Sequence, residues 1–367
     1  MRTRRAWAEV DLAAVRHNAG VLAEVSAPAA LCAVVKANAY GHGAVEVATA
    51  ALEGGATWLA VALVEEAVPI RRAGIDAPIL VLAEPRPDEM ADVVHYRLTP
   101  TLYTRDGIDA ACVAAGAVEL PVHLKVDTGM HRVGCGEDQV VALAKGIGPP
   151  LRLEGFCTHL AAADEAAHDD DTAAQLAGFE RSIAALREAG IPRPPVVHAA
   201  NSAAGIRHPA ARYDLVRAGI ALYGYSPTAG DTTLDLRPAM SVRAEVSHVQ
   251  RRDGGDRLSY GLRYAMPTAG TVATVPIGYA DGVPRRLASV GGEVLVGGRR
   301  RPIAGTVTMD QLMVDCGDLD VAVGDEVVLL GRQGDAEITA DDWARRLDTI
   351  SYEIVCGIGP RITRVHT

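Results

Sequence analysis

The sequence predicts an α/β fold: an N-terminal (β/α)8 barrel of the TIM type, followed by a mostly-β C-terminal domain. Three observations lead there. Between residues 11 and 235, eight short apolar runs alternate with helical patterns. From about residue 236 to 367 the pattern changes to strands separated by Gly, Pro and Asp turns. The chain, at 367 residues, exceeds one average domain, whereas a barrel alone takes about 250 residues.

The apolar runs lie at 31–36, 58–63, 79–83, 98–103, 121–127, 153–159, 196–200 and 215–217. Strand alternating with helix implies a parallel sheet. The clearest helix is "TAAQLAGFERSIAALREAG": Leu176, Phe179, Ile183 and Leu186 recur at helical spacing, and Gly190 stops it. Pro100 in the fourth run and the shortness of the eighth leave a doubly wound open sheet as the alternative on periodicity alone. In the second part, "MSVRAEVSHVQ", "GTVATVPIG", "GEVLVGG", "TMDQLMVDC" and "DEVVLLG" read as strands, and only "TADDWARRLDTIS" as a clear helix.

Composition excludes several classes of function. The formal charge is −10 with no basic tract, which argues against a nucleic-acid surface. No run approaches the roughly 18 apolar residues of a membrane span, and the first residues do not read as a signal peptide. The six cysteines show no paired metal spacing, so no metal is expected. They read as small buried apolar residues in a reducing cytoplasm.

The basic residues are unevenly chosen: of 36, only Lys36, Lys125 and Lys145 are lysines. Where a positive charge suffices, this chain uses arginine, so a remaining lysine is needed more often as an amine. Lys145, near the end of a predicted helix, is explained as a solvated C-terminal charge. Lys36 and Lys125 stand at or near the ends of apolar strands, as do His159, Ser202 (after Asn201) and Arg217. Five of the eight predicted strands thus put polar groups at the carboxyl end, where barrel active sites are built.

A desolvated lysine loses its charge readily and becomes a nucleophile toward aldehydes. The structural alternative is a lysine paired with a carboxylate. The surroundings favour the nucleophile. Tyr40 follows Lys36 by four residues, Ser202 supplies a hydroxyl, and "AGI" (Ala218, Gly219, Ile220) offers backbone N–H groups for a phosphate. A phosphate cradle beside an aldehyde-binding lysine points to pyridoxal 5'-phosphate.

At this point the sequence resembles the alanine racemase family. "AVVKANAYGHG", "KVDTGMHRVG", "THLAAAD", "HAANSA", "VRAGIALYGYSP", "LSYG", "PIGYADG", "TMDQ" and "ISYEIVCGI" resemble family blocks in family order, over essentially the whole chain. The resemblance implies that residues 1 to about 10 join the second domain. It implies Lys36 as the cofactor-bearing amine and Tyr260, lent by the partner subunit of a homodimer, as the second catalytic base. Tyr40, Ser202 and Tyr352 would bind the cofactor phosphate, with the N–H groups of Gly219 and Ile220. Arg217 would face the pyridine nitrogen and His159 would lie near the ring. Arg132 and the Met309 N–H would hold the substrate carboxylate, with Tyr279 and Asp310 shaping the pocket. Lys125 would be carbamylated and orient Arg132. The implied reaction is interconversion of L- and D-alanine in a bacterial cytoplasm.

Two departures stand out. Thr306 occupies the position three before Met309 where the family block usually has arginine, and Ala218 replaces a proline. A broad-specificity or serine racemase on the same scaffold is therefore an open alternative, since pocket volume is not readable from sequence. A non-catalytic cofactor carrier is the reading from another class; the retained β-domain and the "SYG" tyrosine weigh against it. For Tyr260, Tyr279 and Tyr352, half-buried strand aromatics are the plain alternative.

Overall fold

A computed structural model of the chain describes residues 5–228 and 230–367. The chain forms two compact units. One comprises Ala14–Ala39 and Ala44–Arg237; the other takes the residues up to Ala13, the short piece Tyr40–Gly43 and Pro238–Thr367.

Chain order starts in the second unit with β1 (Ala6–Val10). The first unit then contributes β2 (Ala30–Val34), β3 (Trp58–Val61), β4 (Ile79–Val81), β5 (Thr99–Leu102), β6 (Leu120–Lys125), β7 (Leu151–Cys157), β8 (Val196–His198) and β9 (Leu215–Ala218). Among the described residues these eight strands make one parallel sheet, ordered β8-β7-β6-β5-β4-β3-β2-β9. The two ends meet: Asp214 N–H donates to Val197 O at 2.9 Å and Arg217 N–H to Ala200 O at 3.1 Å. That seam closes the sheet into a barrel and excludes the doubly wound alternative.

The outer face of the barrel is apolar. Leu124, Phe156 and Val197 pack with Phe179 and Leu186 of the helix Asp169–Glu188. This helix starts earlier than the apolar pattern shows, because Asp169, Asp170 and Asp171 occupy its first turn and complement the helix dipole. Along β6 the side chains alternate as a pleat demands, so Val122 and Leu124 share one face and His123 and Lys125 the other. Lys145 is exposed in the last turn of the helix Val140–Gly146, as its reading as a solvated charge requires.

In the second unit, β1 runs antiparallel to β10 (Met240–Glu245) and parallel to Thr363–His366. Residues 5–10 therefore sit in the β-rich unit; residues 1–4 lie outside the described residues. A three-stranded sheet adds His248–Arg252, Gly270–Val275 and Leu312–Gly317. "ISYEIVCGI" is a second helix, Ser351–Gly357, beside the expected one at Ala340–Leu347. Its buried residues, Ser351, Ile354 and Val355, have helical spacing over too few residues to stand out in sequence.

The cysteine expectation needs correcting. Cys32, Cys135, Cys157 and Cys316 are buried, but Cys112 is half-buried and Cys356 exposed. All six are free. Among the described residues no helix is long and apolar enough to cross a membrane.

Candidate active site

Several of the site residues lie at or just beyond the carboxyl ends of the barrel strands. β2 stops at Val34, two residues before Lys36, which opens a single left-handed helical turn. Ala37, Asn38, Ala39 and Tyr40 have φ between 51 and 54°. For residues with a Cβ this costs roughly 1–2 kcal/mol each, so the turn needs outside support. Glu66 provides some, accepting from Ala37 N–H at 2.6 Å, and the Asn38 side chain accepts from Ala44 N–H at 2.9 Å.

Lys125 ends β6, and the loop beyond it folds back. Cys135 N–H donates to Lys125 O, and Asp127 accepts from the N–H groups of Gly129 and His131. Gly134, at φ 139°, lets this fold close: a Cβ there would lie 2.7 Å from Asp127 N. Arg132 is exposed on this loop. Lys125 itself is buried, and burial lowers its pKa, with Arg217 and Arg132 adding to the fall.

Ser202 opens the helix Ser202–Arg207, capped by the Asn201 side chain, which accepts from Ala204 N–H at 3.0 Å. Gly205 allows that helix to press on β9, since a Cβ would come within 2.6 Å of Val216. The buried Ser202 Oγ thereby reaches Gly219 and accepts its N–H at 2.8 Å. The Gly219 N–H is thus engaged by Ser202, and that hydroxyl's own proton is left to donate. Ile220 begins the following turn.

Arg217 is buried in β9 and makes a dense set of contacts. Its Nη2 donates to Thr158 O at 3.0 Å, Ala199 O at 2.9 Å and His159 Nδ1 at 3.1 Å; its Nη1 contacts His198 Nδ1. No carboxylate touches Arg217 among the described residues; the groups of potential negative charge acting on it are the thiols of Cys157 and Cys32, and burial pushes Cys32 up to about 12 and raises Cys157. A guanidinium only donates, so both imidazoles accept at Nδ1 and carry their proton on Nε2. His198 then donates to His123 Nδ1 at 2.9 Å. His123 Nε2 ends the row, buried and without a partner.

Burial first, then the charges of Arg217, Lys125, Arg132 and Lys36, hold His159 well below its ordinary 6.5. Burial, Arg217 and His123 do the same to His198, while burial and Arg217 bring His123 down to about 3. The barrel mouth is thus a cluster of cations around neutral imidazoles. His198 and His123 were not singled out from the sequence. The signal was present in "VHLKVD", where His123 and Lys125 stand two apart and so share a face of one strand.

The second unit carries the other expected residues. Tyr40 is buried, and burial, then Tyr352 and Cys356, raise its pKa, so the phenol keeps its proton. Its ring centroid lies 6.1 Å from that of Tyr352. Gly41, at φ 82°, explains how the loop settles on the helix of Tyr352: a Cβ would meet Val355 O at 2.8 Å. His42, also missed, contacts Tyr40 O through Nδ1 at 3.0 Å.

Gly278 similarly seats one loop on another. A Cβ there would come within 2.2 Å of Thr308 O, and Tyr279 N–H and Ala280 N–H donate to Thr308 O and Met309 O. Tyr279 and Met309 are therefore neighbours, both exposed. The Met309 N–H has no acceptor among the described residues, whereas Asp310 pairs with Arg361 at 2.6 Å. Tyr260 follows the two-residue strand Arg257–Leu258 and is 74% exposed. Among the described residues no group of His, Cys, Asp and Glu is arranged to hold a metal ion.

Comparison with known proteins agrees over the full length. Residues 10–227 match the alanine racemase N-terminal domain and residues 239–366 its C-terminal domain. An alanine racemase of Symbiobacterium thermophilum is 48% identical, over 99% of this chain and 97% of its own. The crystal structure of alanine racemase from D-cycloserine-producing Streptomyces lavendulae superposes with a TM-score of 0.94 at 39% identity, covering 100% of this chain and 98% of that one. A histidine racemase of Leuconostoc mesenteroides shares the backbone at a TM-score of 0.90 and 31% identity, with 100% and 99% covered. In sequence and in backbone, across both its units, the chain belongs to the alanine racemase family.

Proposed function

We propose that the chain is a pyridoxal-phosphate-dependent isomerase that interconverts L- and D-alanine, working as a homodimer with Lys36 and Tyr260 as its two bases. The observation that carries the reading is the contact of Arg217 with His159 among the charges of Lys125, Arg132 and Lys36, with no carboxylate on Arg217 itself among the described residues. Such a mouth suits an anionic, phosphate-bearing group. The fit is supported by the buried Ser202 hydroxyl, whose proton is left to donate. Lys36 would hold the cofactor through its amine. Ser202, Tyr40, Tyr352 and the turn at Gly219 and Ile220 would hold its phosphate, with His159 beside the ring and Arg217 at the ring nitrogen. When bound, the cofactor supplies the electron sink that lets an amino acid lose its Cα proton.

The residues divide the proton work. Racemisation removes the Cα proton on one face and returns one on the other, so one amine on one side and one phenol on the other suffice. General acid–base help of this kind is worth roughly 100- to 10,000-fold. A free phenol has a pKa of about 10, so Tyr260 needs support as a base. His159, neutral and protonated on Nε2, would give it by donating to the phenolic oxygen. Arg217, which keeps its protons, would withhold a full proton from the ring nitrogen. Arg132, the Met309 N–H, Tyr279 and Asp310 would seat the substrate.

Exposure supports the partner. Tyr260, Leu262, Tyr279 and Met309 are large apolar or aromatic residues left open on the single chain, and such groups mark association surfaces. The bacterial relatives support a cytoplasmic role in supplying D-alanine for the cell wall. A second reading, a racemase of wider specificity, is favoured by Thr306 and by the fold's use in a histidine racemase.

For Lys125 we propose carbamylation. A buried amine of lowered pKa adds to carbon dioxide, releasing one proton and becoming an anion; arginine, protonated, does not. The product would sit between Arg217 and Arg132, which otherwise have no buried anion.

The deciding experiment is an absorbance spectrum of the purified protein with racemisation rates on L-alanine, L-serine, L-lysine, L-arginine and L-histidine. Yellow absorbance and a preference for alanine are expected. A faster rate on another amino acid would establish the wider reading, and a coloured protein that exchanges no Cα proton in deuterium oxide would overturn both. Lys36→Ala is expected to lose colour and activity.

A further inference from the structure

We propose that Thr306, acting with Ser259, is a positioning residue that aims Tyr260; the proposal rests on the reading of Tyr260 as a base. The segment bearing Tyr260 is bent in an uncommon way. Ser259 has φ 65° and ψ −177°, a region that is essentially glycine's alone. Gly261 at φ 76° and Leu262 at φ 51° continue the distortion. Such a conformation persists only where its surroundings over-determine it.

Here the surroundings are two reciprocal hydrogen bonds. The Ser259 hydroxyl donates to Thr306 O at 2.9 Å, and the Thr306 hydroxyl donates to Tyr260 O at 2.9 Å. Each side chain thus ties the other's loop. Gly305 makes the approach possible, since a Cβ at that position would lie 2.4 Å from Ser259 Cβ. The Tyr260 ring itself is held little by packing: it is exposed and lines a cleft of about 330 Å³ together with Thr274, Thr308 and Gln311. The direction in which the phenol leaves the chain is therefore set by the backbone, and the backbone by the tie. Thr306 also replaces the arginine usual in the resembling block, so the device belongs to this chain's own sequence.

The test separates aiming from mere stability. Thr306→Val keeps the shape and loses the hydroxyl; Thr306→Ser keeps the hydroxyl. Thr306→Val is expected to lower kcat for alanine by about 10-fold, within the ~100-fold that a 1 Å misplacement can cost, with KM changed less than about 2-fold. The equilibrium constant of racemisation is one, so kcat/KM falls equally in both directions. The Cα-deuterium isotope effect does not: it should rise only for the enantiomer whose proton Tyr260 removes. Tyr260→Phe, measured alongside, identifies that enantiomer. Thr306→Ser should match the unaltered enzyme, and Ser259→Ala should repeat the one-sided effect; if Thr306→Val does not fold, Ser259→Ala alone decides. Unchanged rates, or isotope effects rising equally for both enantiomers, would overturn the tie while a one-sided Tyr260→Phe result left the base standing. Full activity in Tyr260→Phe would remove the base, and the proposal with it.

Discussion

Arg217 Nη2 stands 3.1 Å from His159 Nδ1, and that one contact settles the tautomer of the imidazole. The guanidinium has no lone pair to offer, so Nδ1 must accept and Nε2 must carry the proton. A strand in the barrel wall thereby fixes which way a histidine two residues beyond another strand can pass a hydrogen bond.

Arg217→Lys tests that relation. A single ammonium cannot reach Thr158 O, Ala199 O, His159 and His198 together, and the two are not interchangeable at forked sites. Removing hydrogen bonds from a charged donor in a buried site costs about 1.5–3 kcal/mol each. A lower melting temperature and roughly 100-fold less activity are expected. Thermal melts and kcat/KM on alanine check both; an unchanged rate would show that the Arg217–His159 contact does not serve the support proposed for Tyr260.

The depressed histidines predict how stability depends on pH. His159 and His198 lie well below 6.5 in the folded chain and His123 near 3. The unfolded chain, with histidines near 6.5, binds more protons below that pH. Stability is therefore intact above about pH 6.5 and falls as the pH drops toward the folded values, by at most about 1.4 kcal/mol per pH unit for each histidine. Urea unfolding at pH 7 and pH 5 measures the slope. His123→Phe, fitting the space beside Trp58, should make it shallower by one proton.

Gly41→Ala tests the phosphate-binding role proposed for Tyr40 and Tyr352. The added methyl meets Val355 O at 2.8 Å, and φ is 82°, so the loop bearing Tyr40 must shift away from Tyr352. A destabilisation of about 1–3 kcal/mol is expected, with weaker cofactor retention. Titrating the apoprotein with pyridoxal 5'-phosphate, by fluorescence, would show it; an unchanged Kd would separate this loop from the cofactor.

Carbamylation of Lys125 predicts a carbamate resonance when the protein is supplied with ¹³C-bicarbonate. The signal should vanish in Lys125→Arg, which keeps charge but not the amine chemistry. Loss of roughly 10-fold in kcat/KM is expected from the misplaced Arg132. If the resonance is absent near neutral pH, the buried amine acts as an amine alone.

The barrel was legible in sequence because apolar runs and helical periods report burial, and burial is a local property of each segment. The strand ends were less so. Lys36 looked like the last residue of a strand, but β2 ends at Val34, since the left-handed turn after it is held by Glu66 from another element. The helix Ser351–Gly357 was hidden by its shortness, and Cys356 is exposed because it falls on the outer side of that helix.

What the sequence by itself determined is the succession of elements and the residue types at the barrel mouth: three lysines among 36 basic residues, a serine before "AGI", tyrosines in the β-rich part. What only the tertiary structure decided is how those groups are coupled. The row His123, His198, Arg217, His159 joins four residues on or just beyond four different strands, and the tie of Ser259 to Thr306 joins loops 47 residues apart. Periodicity says which face a side chain takes. Protonation and aim depend on which distant group ends up within 3 Å, and only the closing of the chain brings them there.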